Sequence, residues 1–154
     1  MKARIIIGLI LISPILGFSQ GEFNNWYFGN YKAVTFNSGY PVLLGGSDIY
    51  AGGVTVNVSD SSGNILFYSD GTKVYNRLNV VMPHGTGLSG GGGSFSQSIT
   101  TVQDIEDDSA YYLFTAGRYA FNNPSACKPA SYSVLNMRLN GGTGDIVPML
   151  TTYH

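Results

Sequence analysis

Beyond residue 20, apolar and polar positions alternate with a period of two in several windows, and no window follows a convincing helical period of 3.6. Val54, Val56 and Val58 alternate with Thr55 and Asn57, which predicts a strand with one apolar and one polar face. The stretch NILFYSDGTKVYN predicts a hairpin. Its first strand is apolar on both faces, with Ile65 and Phe67 on one and Leu66 and Tyr68 on the other. Asp70-Gly71 at the tip suits a two-residue loop with positive φ at both positions. Lys73, Tyr75 and Asn76 follow in the second strand. Further strands are expected at 26–28, 35–37, 98–102, 111–116 and 131–139, the last with Tyr132 and Val134 opposite Leu135, Met137 and Leu139, and one more starts at Asp145. Ser38-Gly39, residues 59–63 and Asn140-Gly141-Gly142 read as turns, and residues 85–93 as a glycine-rich loop.

The pattern recurs. Ile65-Leu66-Phe67 matches Tyr112-Leu113-Phe114 about 47 residues later, each preceded by a strand and a polar turn, with Asp60 in one turn and Asp104 in the other. That interval is the length of a four-stranded propeller blade, and central strands apolar on both faces suit sheets sandwiched between neighbours. The predicted fold is all-β and antiparallel, two propeller-type blades of an incomplete β-propeller. A β-sandwich is the competing architecture, because strands spaced every 8–12 residues or so also satisfy it. Two blades do not close a ring, so association through exposed sheet edges, with further blades or another chain, is expected, as is the alternative of a truncated product.

Composition agrees: Gly, Tyr, Phe, Ser, Thr and Asn are plentiful, while Lys, Glu and Ala are scarce, which disfavours helix. The first 19 residues stand apart. A basic start (Lys2, Arg4), an apolar run over residues 5–16, and small Gly17 and Ser19 describe a signal peptide cut between Ser19 and Gln20, with residues 20–154 as a single, partial β-propeller-like domain. The apolar run is shorter than a membrane span, so no span is expected in the mature chain, and the expected location is secreted or on the extracellular surface. Without Lys2 and Arg4, the eight basic residues become six against nine acidic, a net of −3, too weak and dispersed for nucleic acid. A single cysteine, Cys127, excludes an internal disulfide.

The motifs NNWYFGN, TFNSG, SDSSGNILFYSDGTKVYNR, VMPHGTGL, YYLFTA and YSVLNMRLNGGTGDI, over about residues 25–146, resemble the amino-terminal region of large secreted surface proteins of Bacteroidetes. That resemblance implies a propeller-like repeat region, a surface location and a gliding-motility-associated sorting domain read by the type IX secretion system. The sorting domain is absent from this sequence, and the glycine run at 90–93 replaces a less repetitive loop. The resemblance implies no catalytic residues.

Candidate chemistry is sparse. Trp26-Tyr27-Phe28 has the character of a sugar-stacking platform, but reads better as a core strand. Asp104, Glu106, Asp107 and Asp108 form an acidic cluster; counted as a calcium loop, the sixth position is Ser109 and the twelfth Thr115, so it reads as a hairpin loop. Residues 60–64 fail the same count and read as a turn. Gly85-Thr86-Gly87 and the glycines at 90–93 are not followed by Gly-Lys-Ser/Thr, so no phosphate cradle is expected. His84 and His154 lack zinc-site spacing, no Gly-x-Ser-x-Gly elbow occurs, and Cys127, beside Lys128, lacks an oriented base. Asp60 and Asp70 are the nearest approach to a glycosidase pair. The expectation is therefore a non-enzymatic adhesion, scaffold or ligand-binding module without a cofactor, its partner a glycan or a surface protein. The alternative is a fragment of a carbohydrate-active propeller enzyme.

Overall fold

The computed structural model describes residues 21–50, 54–89, 98–117 and 129–148. The expected cleavage site at Ser19 and Gln20, the glycines at 90–93, Cys127 and His154 lie outside the described residues.

The described chain is all-β. Three antiparallel sheets follow one another in sequence, and none closes on itself. The first contains β1 (Asn25–Phe28), β2 (Lys32–Thr35) and β3 (Val42–Leu44). The second contains β4 (Val56–Ser59), β5 (Ile65–Ser69), β6 (Lys73–Asn76) and β7 (Val81–Thr86). The third contains β8 (Ile99–Gln103), β9 (Ala110–Thr115), β10 (Ser131–Asn136) and β11 (Asp145–Val147). In each sheet the strands pair in chain order, an up-and-down meander. The two matching tripeptides occupy β5 and β9, the second strands of the two four-stranded sheets.

The sheets stack, and the second lies in the middle. Phe67, Val74 and Met82 pack against Ile99, Tyr111, Leu113, Leu135, Met137 and Ile146 of the third-sheet region. Tyr68 and Tyr75 pack against Tyr27, Ala33 and Ile49 on the other side. Alternation makes this possible: adjacent residues Phe67 and Tyr68, and Val74 and Tyr75, point to opposite cores. On the first-sheet side three tyrosine rings stack, Tyr27 on Tyr68 at 4.4 Å and Tyr68 on Tyr75 at 5.1 Å between centroids. The Tyr68 hydroxyl donates to Asn79 Oδ1 (2.9 Å) and accepts from the Asp48 N–H (3.2 Å), so the deepest polar group of this core is satisfied.

Several sequence expectations change. The chain supplies three blade-like sheets, because residues 25–28 open a small sheet of their own. Within β1 Asn25 and Tyr27 are buried, while Trp26 and Phe28 are 52% and 46% exposed, so this is a one-sided strand. The faces of β5 also differ from strict alternation. Val58 pairs with Phe67 but Ser59 pairs with Ile65, a bulge at Leu66. The extra residue turns Ile65 towards the Tyr68 side and Leu66 towards the Phe67 side. The strand expected at 35–37 lies earlier, over Lys32–Thr35. Gly85 and Thr86 belong to β7 rather than to a loop. That strand holds Pro83, tolerated because β7 is the last strand of its sheet and needs no donor there.

The Asp70-Gly71 turn is also built differently. Gly71 has φ of 85°, as expected, but Asp70 is not in the left-handed region. The Asp70 side chain instead caps the turn, its Oδ1 accepting from Thr72 N–H (2.8 Å), Thr72 Oγ1 (2.7 Å) and Lys73 N–H (2.9 Å). Gly71→Val places a β-branched residue at this φ and is expected to lower stability by about 1–2 kcal/mol or more. A thermal melt reads this directly, and an unchanged midpoint would contradict the turn geometry.

Candidate functional site

A groove of about 610 Å³ opens where the first strands of the three sheets approach one another. β1 lies beside β4, and β4 beside β8. Side-chain amides hold the first pair. Asn57 Nδ2 donates to the Asn25 carbonyl (2.6 Å) and its Oδ1 accepts from Tyr27 N–H (3.2 Å). Asn25 Nδ2 donates to Ser59 Oγ (2.8 Å) and to the Gly63 carbonyl (2.7 Å). Thr55 Oγ1 donates to the Tyr27 carbonyl. These amides do the work of a backbone ladder between strands of different sheets.

The groove carries three carboxylates, Glu22, Asp60 and Asp108, with aromatic residues Phe23 and Trp26 and, from β9, Tyr111. Among the described residues, no lysine, arginine or histidine lines it. Asp60 is fixed by its own turn: Oδ1 accepts from Ser62 N–H and Asn64 N–H, both 2.9 Å, and Oδ2 from Asn64 Nδ2 at 3.0 Å. Partial burial pushes its carboxyl up, but these bonds and the Gly63 N–H outweigh it and hold the group below the usual carboxylate range. Asp108 Oδ1 takes an ion pair from Arg138 at 3.1 Å. Glu22 has no hydrogen bond or ion pair among the described residues.

Tyr111 is the least ordinary member. It is only 6% exposed, and its ring packs edge-on against Phe67 with centroids 5.2 Å apart. Tyr111 lines the groove, and its hydroxyl is not a buried unpaired group; Ser98 Oγ is the one such atom among the described residues. Burial raises this hydroxyl above the ordinary phenol value, and the carboxylates of Asp108, Glu22 and Asp60 add to the rise.

The comparisons with known proteins are silent. No family model matches the chain, and no curated protein or solved structure matches it significantly.

The residues singled out in the sequence are scattered. Asp60 and Asp108 meet in the groove; Asp70 does not line it, sitting at the far end of β5, so the Asp60–Asp70 pairing is not formed. The acidic cluster forms the β8–β9 hairpin loop. Asp104 Oδ1 accepts from Glu106 N–H (2.8 Å), Asp107 Oδ1 accepts from Ser109 N–H (2.9 Å) and Ser109 Oγ (2.6 Å), and Arg138 lies across Asp107 and Asp108. The Ser109 bonds, with Arg138, keep Asp107 below the usual carboxylate range. His84, at φ of 53°, places Nδ1 3.2 Å from Asp145 Oδ1 and joins β7 to β11. No three His, Cys, Asp or Glu side chains among the described residues are placed to share one metal ion. Glu22, Gln103 and Tyr111 escaped the sequence reading, because nothing local ties them to Asp60. The one available signal was the repeat, which places the Asp60 turn and the 104–108 loop at the same end of neighbouring sheets.

Proposed function

We propose that this chain is a non-enzymatic binding and scaffold module, exported by its amino-terminal signal and displayed outside the cell, of the kind found in Bacteroidetes surface proteins. The observation that carries the non-enzymatic part is the state of the groove's carboxylates. A glycosidase needs one carboxyl whose pKa is raised so that it can donate a proton. Asp60 is held below the usual range by its turn, and Asp108 is paired with Arg138. Such groups are suited to accepting hydrogen bonds and attracting charge. The stacked, meandering sheets and the sequence motifs around Trp26, Asp60 and Tyr112 support the surface-module part.

A carbohydrate-active enzyme remains the second reading, favoured by the convergence of Glu22, Asp60 and Asp108 on one groove. Incubating the purified protein with a panel of polysaccharides and aryl glycosides separates the two. No release of reducing ends above a Glu22→Gln, Asp108→Asn double variant is expected. Release that disappears in that variant would overturn the binding-module reading.

A further inference from the structure

The stack of sheets has two ends. The second sheet gives one face to the first sheet and the other to the third. The third sheet gives only one: Tyr111, Leu113, Leu135 and Ile146 point into the shared core. By alternation Tyr112 and Phe114 point the other way, and the register sets Val102, Tyr132 and Val134 beside them on that outward face. The Phe114 ring lies 6.3 Å from that of Tyr112 and 6.1 Å from that of Tyr132. The repeat makes this face informative, because it sets Phe114 at the position of Phe67. Phe67 is fully buried, since the next sheet lies over it. Phe114 is 43% exposed and Val102 53%, and among the described residues no further sheet covers them. The opposite end is similar. Trp26 and Phe28 point away from the second sheet, with Val34 and Leu43 beside Trp26 across β2 and β3, and Leu43 is 76% exposed. Lys32 sits opposite Phe28, where its stem can lie along apolar surface with the ammonium in water.

We infer that the outward face of the third sheet is covered by the outward face of the first sheet of a second copy of this chain, head to tail. The contact continues, between copies, the stacking that already joins the sheets within one copy. A three-stranded sheet lying on a four-stranded one is what the first and second sheets form through Tyr27, Ala33, Tyr68 and Tyr75. Both end faces are aromatic and aliphatic, the composition of surfaces that proteins bury against one another. A second copy brings the matching end of the stack. Each copy carries one end of each kind, so the contact is heterologous and repeats until a ring closes. Rings of stacked four-stranded meanders close at about four to eight sheets, and twice three falls within that range. Association through these faces differs from pairing through strand edges, because it uses side chains and needs no new backbone ladder.

The inference concerns assembly and stands apart from what the groove binds. The test is sedimentation velocity of the purified protein over a range of concentrations, with the emission of Trp26, the only tryptophan, read in parallel. A species of twice the chain mass is expected, falling to the single chain on dilution. Phe114→Lys and Leu43→Lys place a charge on opposite ends of the stack, and each is expected to halve the mass. Val102→Lys repeats the first on the same face, and melting curves check that all three variants fold. In Phe114→Lys the Trp26 emission is expected to move to longer wavelength, although Trp26 lies at the other end of its own chain; only a head-to-tail contact links the two. Mixing Phe114→Lys with Leu43→Lys leaves one junction intact and is expected to restore pairing that neither shows alone. Leu78→Lys, in the exposed turn after β6 of the middle sheet, is expected to change nothing. A single-chain mass at every concentration would overturn the inference and leave these faces to an unrelated partner or a further repeat. So would a dimer broken by Phe114→Lys but not by Leu43→Lys, the mark of third sheet on third sheet, or equal loss in Leu78→Lys, the mark of unspecific aggregation.

Discussion

Replacing Phe67 by alanine is expected to lower the free energy of unfolding by about 3–5 kcal/mol, the range for removing a buried aromatic side chain. Phe67 is fully buried at the junction of the second and third sheets and packs on the Tyr111 ring. Its loss leaves a cavity that rigid strands on both sides cannot fill. A single domain has only about 5–15 kcal/mol to lose, so the effect would be visible as a large fall in the urea midpoint. Ile105→Ala is the control, since Ile105 is 99% exposed and its removal should change stability by less than about 0.5 kcal/mol. Equal midpoints for the two variants would mean that the second and third sheets do not share a core.

The second large effect is expected in alkali. Burial raises the Tyr68 hydroxyl from 10.0 to about 12; the Asp48 N–H opposes the rise, while the charges of Asp48, Tyr27 and Tyr75 add to it. The unfolded chain therefore gives up this proton first. Stability from Tyr68 is fully present below pH 10 and is lost as the pH rises through 10 towards 12. The loss amounts to about 2–3 kcal/mol. Tyr68→Phe removes that slope, and at neutral pH costs about 1–2 kcal/mol because Asn79 Oδ1 and the Asp48 N–H lose their partner. Urea midpoints between neutral pH and pH 11 would test this. A shallower alkaline decline in the variant is expected, with a remainder from Tyr27, Tyr75 and Tyr111, whose values also rise. Identical slopes in both proteins would count against a buried, neutral Tyr68.

Much of this fold could be read in the sequence wherever a strand is buried on both faces. The segments around Phe67 and Leu113 announce themselves because every position is apolar or aromatic, and the tight turns beside them are marked by Asp and Gly. The edges were harder. β3 is three residues long, mostly exposed and follows a proline, so burial left no pattern in it. β7 contains Pro83, a histidine at positive φ and a glycine, residues that read as loop and are tolerated only because nothing pairs beyond it in its sheet. The bulge at Leu66 was invisible because Ile65, Leu66, Phe67 and Tyr68 are all apolar or aromatic, and either face accepts them. The groove was legible only in fragments. Asp60 and the acidic loop stood out as turns, which they are, but Glu22 and Tyr111 join them through sheet stacking, and stacking between strands so distant in sequence leaves no local trace.

The middle sheet has one further consequence, which concerns timing. Its strands emerge after the first sheet and before the third. As synthesis proceeds from the amino terminus, the Tyr68 face can be covered as soon as β5 and β6 appear, because Tyr27 and Ala33 already exist. Phe67, Val74 and Met82 must wait for β8–β11. During that interval a half-finished chain presents a flat apolar surface with nothing to cover it, the kind of intermediate most prone to aggregate. A chain threaded across a membrane before folding would meet the same interval on the far side. The order of the strands thus makes the nascent protein most vulnerable between the emergence of β7 and that of the third sheet.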